Sequence, residues 1–97
     1  MASVIYSDAA LGDFERIIEF ALASSRQDAA DTLTRIRSAI EILHAHPLIG
    51  RRVEADMREL IISEGATGYI ALYRHDAARD IVFVLRLRHQ REAGYRA

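Results

Sequence analysis

A chain of 97 residues, 51% of them hydrophobic, is enough for one domain (1–97) with a core of its own. It contains no Cys, which excludes a disulfide framework, a Cys-based zinc site and a thiol nucleophile. The net charge of −1 hides a division: residues 1–50 carry four Arg against seven acids, residues 51–97 carry nine Arg against seven acids, and there is no Lys.

The chain opens without the basic and apolar regions of a signal peptide, and its apolar runs fall far short of the roughly 20 residues of a membrane helix. A soluble, cytoplasmic protein is expected. Ser3-Val4-Ile5-Tyr6 is β-branched and aromatic and reads as a strand. Ser7 or Asp8 then offers a side-chain oxygen to the free amides of a first helical turn. Ala10, Leu11, Phe14, Ile17, Ile18, Ala21 and Leu22 follow at helical spacing, with Asp13, Glu15, Arg16 and Glu19 on the face left to water. Ser24-Ser25 breaks this helix. A second is predicted from about Asp28 to His46, with Ala29, Ala30, Leu33, Ile36, Ile40 and Leu43 as its apolar face and Pro47 as its stop. So short a break predicts an antiparallel helical hairpin whose apolar stripes need a sheet or a partner to cover them.

Residues 48–52 read as a loop. Three strand-like runs follow, at 58–63, 69–74 and 81–88, separated by turn-like stretches at 64–68 and 75–80. Connections this short predict an antiparallel meander. In the last strand, strict alternation puts Ile81, Phe83, Leu85 and Leu87 against the helices, and Val82, Val84, Arg86 and Arg88 on the open face. The expected fold class is α+β, ordered β-α-α-β-β-β: an antiparallel sheet with the N-terminal helical hairpin packed on one face. A polar C-terminal tail runs from about 89 to 97.

Arg86 and Arg88, with Arg91 just beyond and Arg58 from a neighbouring strand, would converge into one cationic patch. Guanidinium groups present paired donors that match carboxylate and phosphate oxygens, so the patch suits an anionic ligand. The plainer reading is a solvent-facing row paired with Glu59, Glu64 or Asp80. In the tail, His89, Glu92 and Tyr95 beside several Arg would make an acid–base set for cleaving a phosphodiester. His89 or Glu92 would be its base, and Tyr95 or His89 its acid. Arg is no base, because it keeps its proton. The alternative is a tail ordered only by a partner.

His44 and His46 are two residues apart and so point to different sides of a helix, unlike the i, i+4 pair of a helical zinc site. Their place at a helix C-terminus accounts for them electrostatically, and no metal or cofactor is expected. Gly65 and Gly68 have no helix after them, which argues against a phosphate loop. No Ser-His-Asp order is visible. Tyr69 and Tyr73 share a strand face and are expected to pack across strands rather than stack on bases.

The order of strand, helical hairpin, then Arg58-Glu59-Leu60-Ile61-Ile62, Gly68-Tyr69-Ile70-Ala71-Leu72-Tyr73-Arg74 and the run from Asp80 to Glu92 resembles the RelE/ParE toxin superfamily of bacterial type II toxin–antitoxin modules. Ser7-Asp8-Ala9-Ala10 and His46-Pro47-Leu48-Ile49-Gly50-Arg51 look like its ParE-type, plasmid-stabilisation branch. The resemblance covers nearly the whole chain. It implies a small cognate antitoxin, encoded alongside, that neutralises the protein in a hetero-oligomer. It leaves the antitoxin-binding residues unassigned and implies no membrane partner.

Two activities are implied. RelE-like members cleave messenger RNA on the ribosome, whereas ParE-like members inhibit DNA gyrase by binding. RelE itself is implied to use lysines with arginines and a C-terminal tyrosine. Only the arginine and tyrosine elements match here, at Arg58, Arg88 or Arg91, and Tyr95, while His89 keeps open the histidine route of other nuclease members. The resemblance thus favours gyrase binding, with Arg58, Arg86, Arg88 and Arg91 as target contacts. The nuclease alternative would use His89, Arg88, Arg91 and Tyr95. A non-toxic helix–sheet interaction module is the third reading.

Overall fold

The computed structural model describes residues 1–63, 68–92, 94 and 95. In chain order it holds β1 (Ser3–Tyr6), α1 (Asp8–Ser24), α2 (Arg26–Glu41), a 3-10 turn (Ile42–His44), β2 (Arg51–Arg52), β3 (Met57–Ile62), β4 (Tyr69–Asp76) and β5 (Ile81–His89). Ser7 caps α1: its Oγ accepts from the Ala10 N–H at 3.0 Å and donates to the Leu85 carbonyl at 2.8 Å, so one hydroxyl closes the helix and ties it to β5. Ser25 ends α1 and also caps α2, accepting from the Asp28 N–H at 3.0 Å. The helical hairpin is as expected. Its second helix, however, stops at Glu41 rather than His46, because the last turn tightens to dock on the N-terminus. The Ala2 N–H donates to the His44 carbonyl at 2.9 Å, and the His44 Nδ1 lies 2.6 Å from the Ala2 carbonyl oxygen.

The sheet order is β1-β5-β4-β3-β2. β3, β4 and β5 form the expected antiparallel meander. Two features correct the expectation of a four-stranded, purely antiparallel sheet. β1 lies parallel to β5, filling the outer edge the meander leaves open, so the sheet is mixed. Arg51 and Arg52, read as loop, pair with Glu59 and Arg58 as a fifth strand on the opposite edge. β4 and β5 also run further into their turn than expected, since His75 and Asp76 pair with Val82 and Ile81. Of the predicted turn at 64–68, residues 64–67 lie outside the described residues.

The helices cover one face of the sheet. Ala10 and Ile17 of α1, Ile36 and Ile40 of α2 and Leu43 of the 3-10 turn pack on Ile62, Tyr69, Ala71, Tyr73, Val82, Val84 and Leu87. Each fully buried aliphatic side chain here contributes roughly 1.5–3 kcal/mol. The alternation expected of β5 is half inverted. Tyr73 pairs with Val84 but Leu72 pairs with Arg86, so Leu85 is an extra residue in a bulge. A one-residue insertion swaps the faces. Val82 and Val84 therefore join Leu87 against the helices, while Ile81 and Phe83 join Arg86 and Arg88 on the open face.

Candidate functional site

The bulge brings Arg86 into a row with Leu72 and Glu59 across the open face. β1 ends at Tyr6, opposite Val84, which leaves the β5 edge beyond it without a strand partner. Asp13 of α1 fills that place. Its Oδ2 accepts from the Leu87 N–H at 2.9 Å and from Arg86 Nε at 2.7 Å, and its Oδ1 accepts from Arg86 Nη2 at 3.1 Å. Burial works against the charge on Asp13, but the Arg86 and Leu87 hydrogen bonds and the nearby Arg86 and Arg16 charges outweigh it and hold its carboxyl below the usual range.

Glu59 is the second buried acid and lies on the open face. Arg51 Nη2 donates to its Oε1 and the Tyr95 hydroxyl to its Oε2, both at 2.8 Å. Burial opposes this charge too. The Tyr95 and Arg51 hydrogen bonds and the Arg51 and Arg88 charges prevail and keep the Glu59 carboxyl low. The Tyr95 ring faces the guanidinium of Arg86 at 5.7 Å and that of Arg88 at 5.3 Å. Its phenol is pushed well above the usual value, first by burial and then by the bond to Glu59. Arg88 Nη1 donates to the Glu92 carbonyl at 2.7 Å.

The other candidates lie elsewhere. Arg58 sits in register with buried Tyr73, on the helix side, and its Nη1 donates to the Gly50 carbonyl at 2.8 Å and the Leu48 carbonyl at 3.1 Å. Strand alternation therefore separates it from Arg86 and Arg88. His89 also faces the helix side, edge-on to Tyr69 with 5.2 Å between ring centroids. Its Nδ1 accepts from the Arg91 N–H at 3.0 Å, so the neutral ring carries its proton on Nε2. Arg91 is exposed beyond β5. His89, Arg91 and Glu92, with Tyr69, Arg16 and Phe20, help line an open groove of about 620 Å³ between the hairpin and the end of β5. Among the described residues, no group of three or more His, Cys, Asp or Glu side chains is placed to hold a metal ion. No helix among them is long and apolar enough to cross a membrane.

The profile of the ParE toxin of type II toxin–antitoxin systems (parDE) matches residues 4–94. The chain belongs to the ParE toxin family. It is also 35% identical over 92 residues to Toxin RelE3 of Caulobacter vibrioides, covering 95% of this chain and 98% of that one. Among solved structures, it superimposes on the chromosomal ParDE toxin–antitoxin system of P. aeruginosa with a TM-score of 0.74 and 19% identity, over 92% of this chain and 96% of that one. On the intact E. coli RelBE toxin–antitoxin complex the TM-score is 0.65 with 13% identity, over 95% and 100% of the two chains. These likenesses show a shared fold.

In this ParE-family chain the open-face cluster rests on Asp13 and Arg51, whose part the sequence left unread, and on Glu59, which the sequence offered only as one of three partners for the arginine row. For Asp13 a signal existed, because the buried residues of α1 are Ala10, Asp13, Ile17 and Ala21, a single helical stripe with an acid in it. For Glu59 the signal was its neighbour: with Arg58 fixed on the helix side, Glu59 had to point the other way. Nothing local marked Arg51, whose place depends on a two-residue strand.

Proposed function

We propose that this chain is a ParE-like toxin that acts by binding, with DNA gyrase as its target and Arg86 and Arg88 at the contact surface. The carrying observation is the separation of His89 from Tyr95. A general acid and base must flank one phosphodiester, yet His89 faces the helix groove while Tyr95 lies on the open face with its hydroxyl given to Glu59. The nuclease set is thus split, with His89 and Arg91 at the groove and Arg88 and Tyr95 on the open face, whereas a binding surface needs only Arg86, Arg88 and the aromatic ring. The name of the C. vibrioides relative favours the ribosome-dependent nuclease as the second reading.

A cognate antitoxin completes the proposal. Phe20 is 82% exposed at the rim of the groove between the helices and β5, apolar surface that a partner in a hetero-oligomer would cover. The test is a supercoiling assay with purified protein and purified gyrase. Inhibition, or accumulation of cleaved DNA, is expected. Normal supercoiling at large molar excess, with messenger RNA cut on ribosomes in a parallel reaction, would transfer the case to the nuclease reading. Growth unaffected by expression of the chain alone would favour the non-toxic module.

A further inference from the structure

Arg86 and Arg88 share a sheet face but differ in what they hold. Arg86 is committed to Asp13 through two donors. Arg88 has no such partner: among the described residues no carboxylate lies within ion-pair distance of it. Its Nη1 serves the backbone carbonyl of Glu92, and its Nε is buried with no hydrogen-bond partner among the described residues. A guanidinium donor left unmade in a buried place carries its full desolvation cost. Glu59 draws Arg88 only through space, while its hydrogen bonds go to Arg51 and Tyr95. The ring that caps Arg88 is that same Tyr95.

We propose that the Tyr95–Glu59 hydrogen bond is a latch over Arg88, and that an Asp or Glu side chain presented by the target displaces Tyr95 from Arg88 and takes its unused Nε face. This rests on the reading of the open face as the target-binding surface. In the free protein, one phenol–carboxylate hydrogen bond keeps the ring over the arginine. Displacing the ring opens a fork of parallel donors that suits a planar carboxylate. Glu59 and Glu92 lie close to Arg88, so a singly charged carboxylate meets less repulsion there than a doubly charged phosphate. The masked state also keeps an under-paired cation from capturing stray anions.

The test compares the full-length wild type with Glu59→Gln, which keeps the shape and removes the charge, and Tyr95→Phe, which removes only the latch. Both variants are expected to inhibit gyrase at about fivefold lower concentration, the scale of one partly exposed charge interaction. Adding Arg88→Ala to either should cancel the gain. Folded variants with unchanged or weaker inhibition would overturn the proposal. If Glu59→Gln does not fold, Tyr95→Phe decides alone. A second readout does not involve gyrase: the Arg88 Nε–H resonance is followed while sodium acetate or inorganic phosphate is added. In Glu59→Gln, acetate should move it at lower concentration than in the wild type, with Arg86 unaffected. Equal midpoints, or a tighter response to phosphate than to acetate, would overturn the carboxylate assignment. A wild type inert on gyrase but showing the acetate response would remove the gyrase reading and support the Glu59–Arg88 site.

Discussion

Asp13 and Arg86, 73 residues apart, meet through two hydrogen bonds of 2.7 and 3.1 Å, and the same carboxylate receives the Leu87 amide where β1 stops. One side chain of α1 thus terminates the sheet edge and aims the arginine. Asp13→Ala leaves a buried amide and a guanidinium without their acceptor and should destabilise the fold by about 3 kcal/mol, measured by urea unfolding. Arg86→Ala in that background should add less than it costs alone, since the two act as one unit. Equal, additive costs would mean that Asp13 contributes through the Leu87 amide only.

Both buried acids make stability depend on pH at the acid end. The ordinary values are 3.8 for Asp13 and 4.5 for Glu59, and both are lowered in the fold. A lowered folded pKa gives stability that is present above the ordinary value and is lost as pH falls through the folded one. The urea midpoint should hold steady above pH 5, begin to drop near 4.5, and keep dropping below 3.8. In Glu59→Gln the early part of that fall should shrink. The alkaline end has the opposite sign. Burial raises Tyr6, Tyr73 and Tyr95 above 10.0, so stability should decline as pH climbs past that value.

How far the sequence carried the reading depends on whether the information was local. Ser3–Tyr6, a cap at Ser7 or Asp8 and a break at Ser24-Ser25 are written in neighbouring residues, and the structure selects Ser7 and Ser25 from these pairs. The faces of β5 before Leu85 were not legible, because a bulge is set by pairing with β4 and leaves no mark in an apolar run. The parallel seat of β1 beside β5 is a contact across nearly the whole chain, so no spacing rule reaches it. Arg86 and Arg88 were placed together correctly, but for a reason that held only by compensation. Strict alternation was wrong at Val82 and Val84, and the bulge restored the parity the arginines needed.

Gly50 and Tyr73 make a second structural test. The Gly50 N–H donates to the Tyr73 hydroxyl at 2.8 Å inside the core, and Tyr73 is fully buried. A Cβ on Gly50 would come within 2.6 Å of Tyr73 Cε1 and 2.8 Å of the Glu59 carbonyl oxygen. Gly50→Ala must push the ring or the β3 backbone aside and should cost roughly 1–3 kcal/mol. Tyr73→Phe keeps the packing but orphans a buried amide, for roughly 1–3 kcal/mol. Thermal melts of the two variants check both. A neutral Tyr73→Phe would show that water replaces the hydroxyl.

The split between His89 and Tyr95 yields the prediction that bears most directly on activity. If toxicity comes from binding through the open face, Arg88→Ala removes a guanidinium from the contact, and loss of a charged contact at an interface costs about 2 kcal/mol or more, roughly thirtyfold in affinity. Arg86→Ala should weaken binding too, but with a stability loss that Arg88→Ala does not share, because only Arg86 is tied to Asp13. His89→Ala touches neither the open face nor its acids. It should leave gyrase inhibition within about twofold of wild type, while changing the groove floor next to Tyr69, where an antitoxin would lie. Growth inhibition on expression and supercoiling in vitro read the two faces together. Should His89→Ala abolish toxicity while Arg88→Ala spares it, the working surface is the helix-side groove rather than the arginine face, and the binding assignment falls with it.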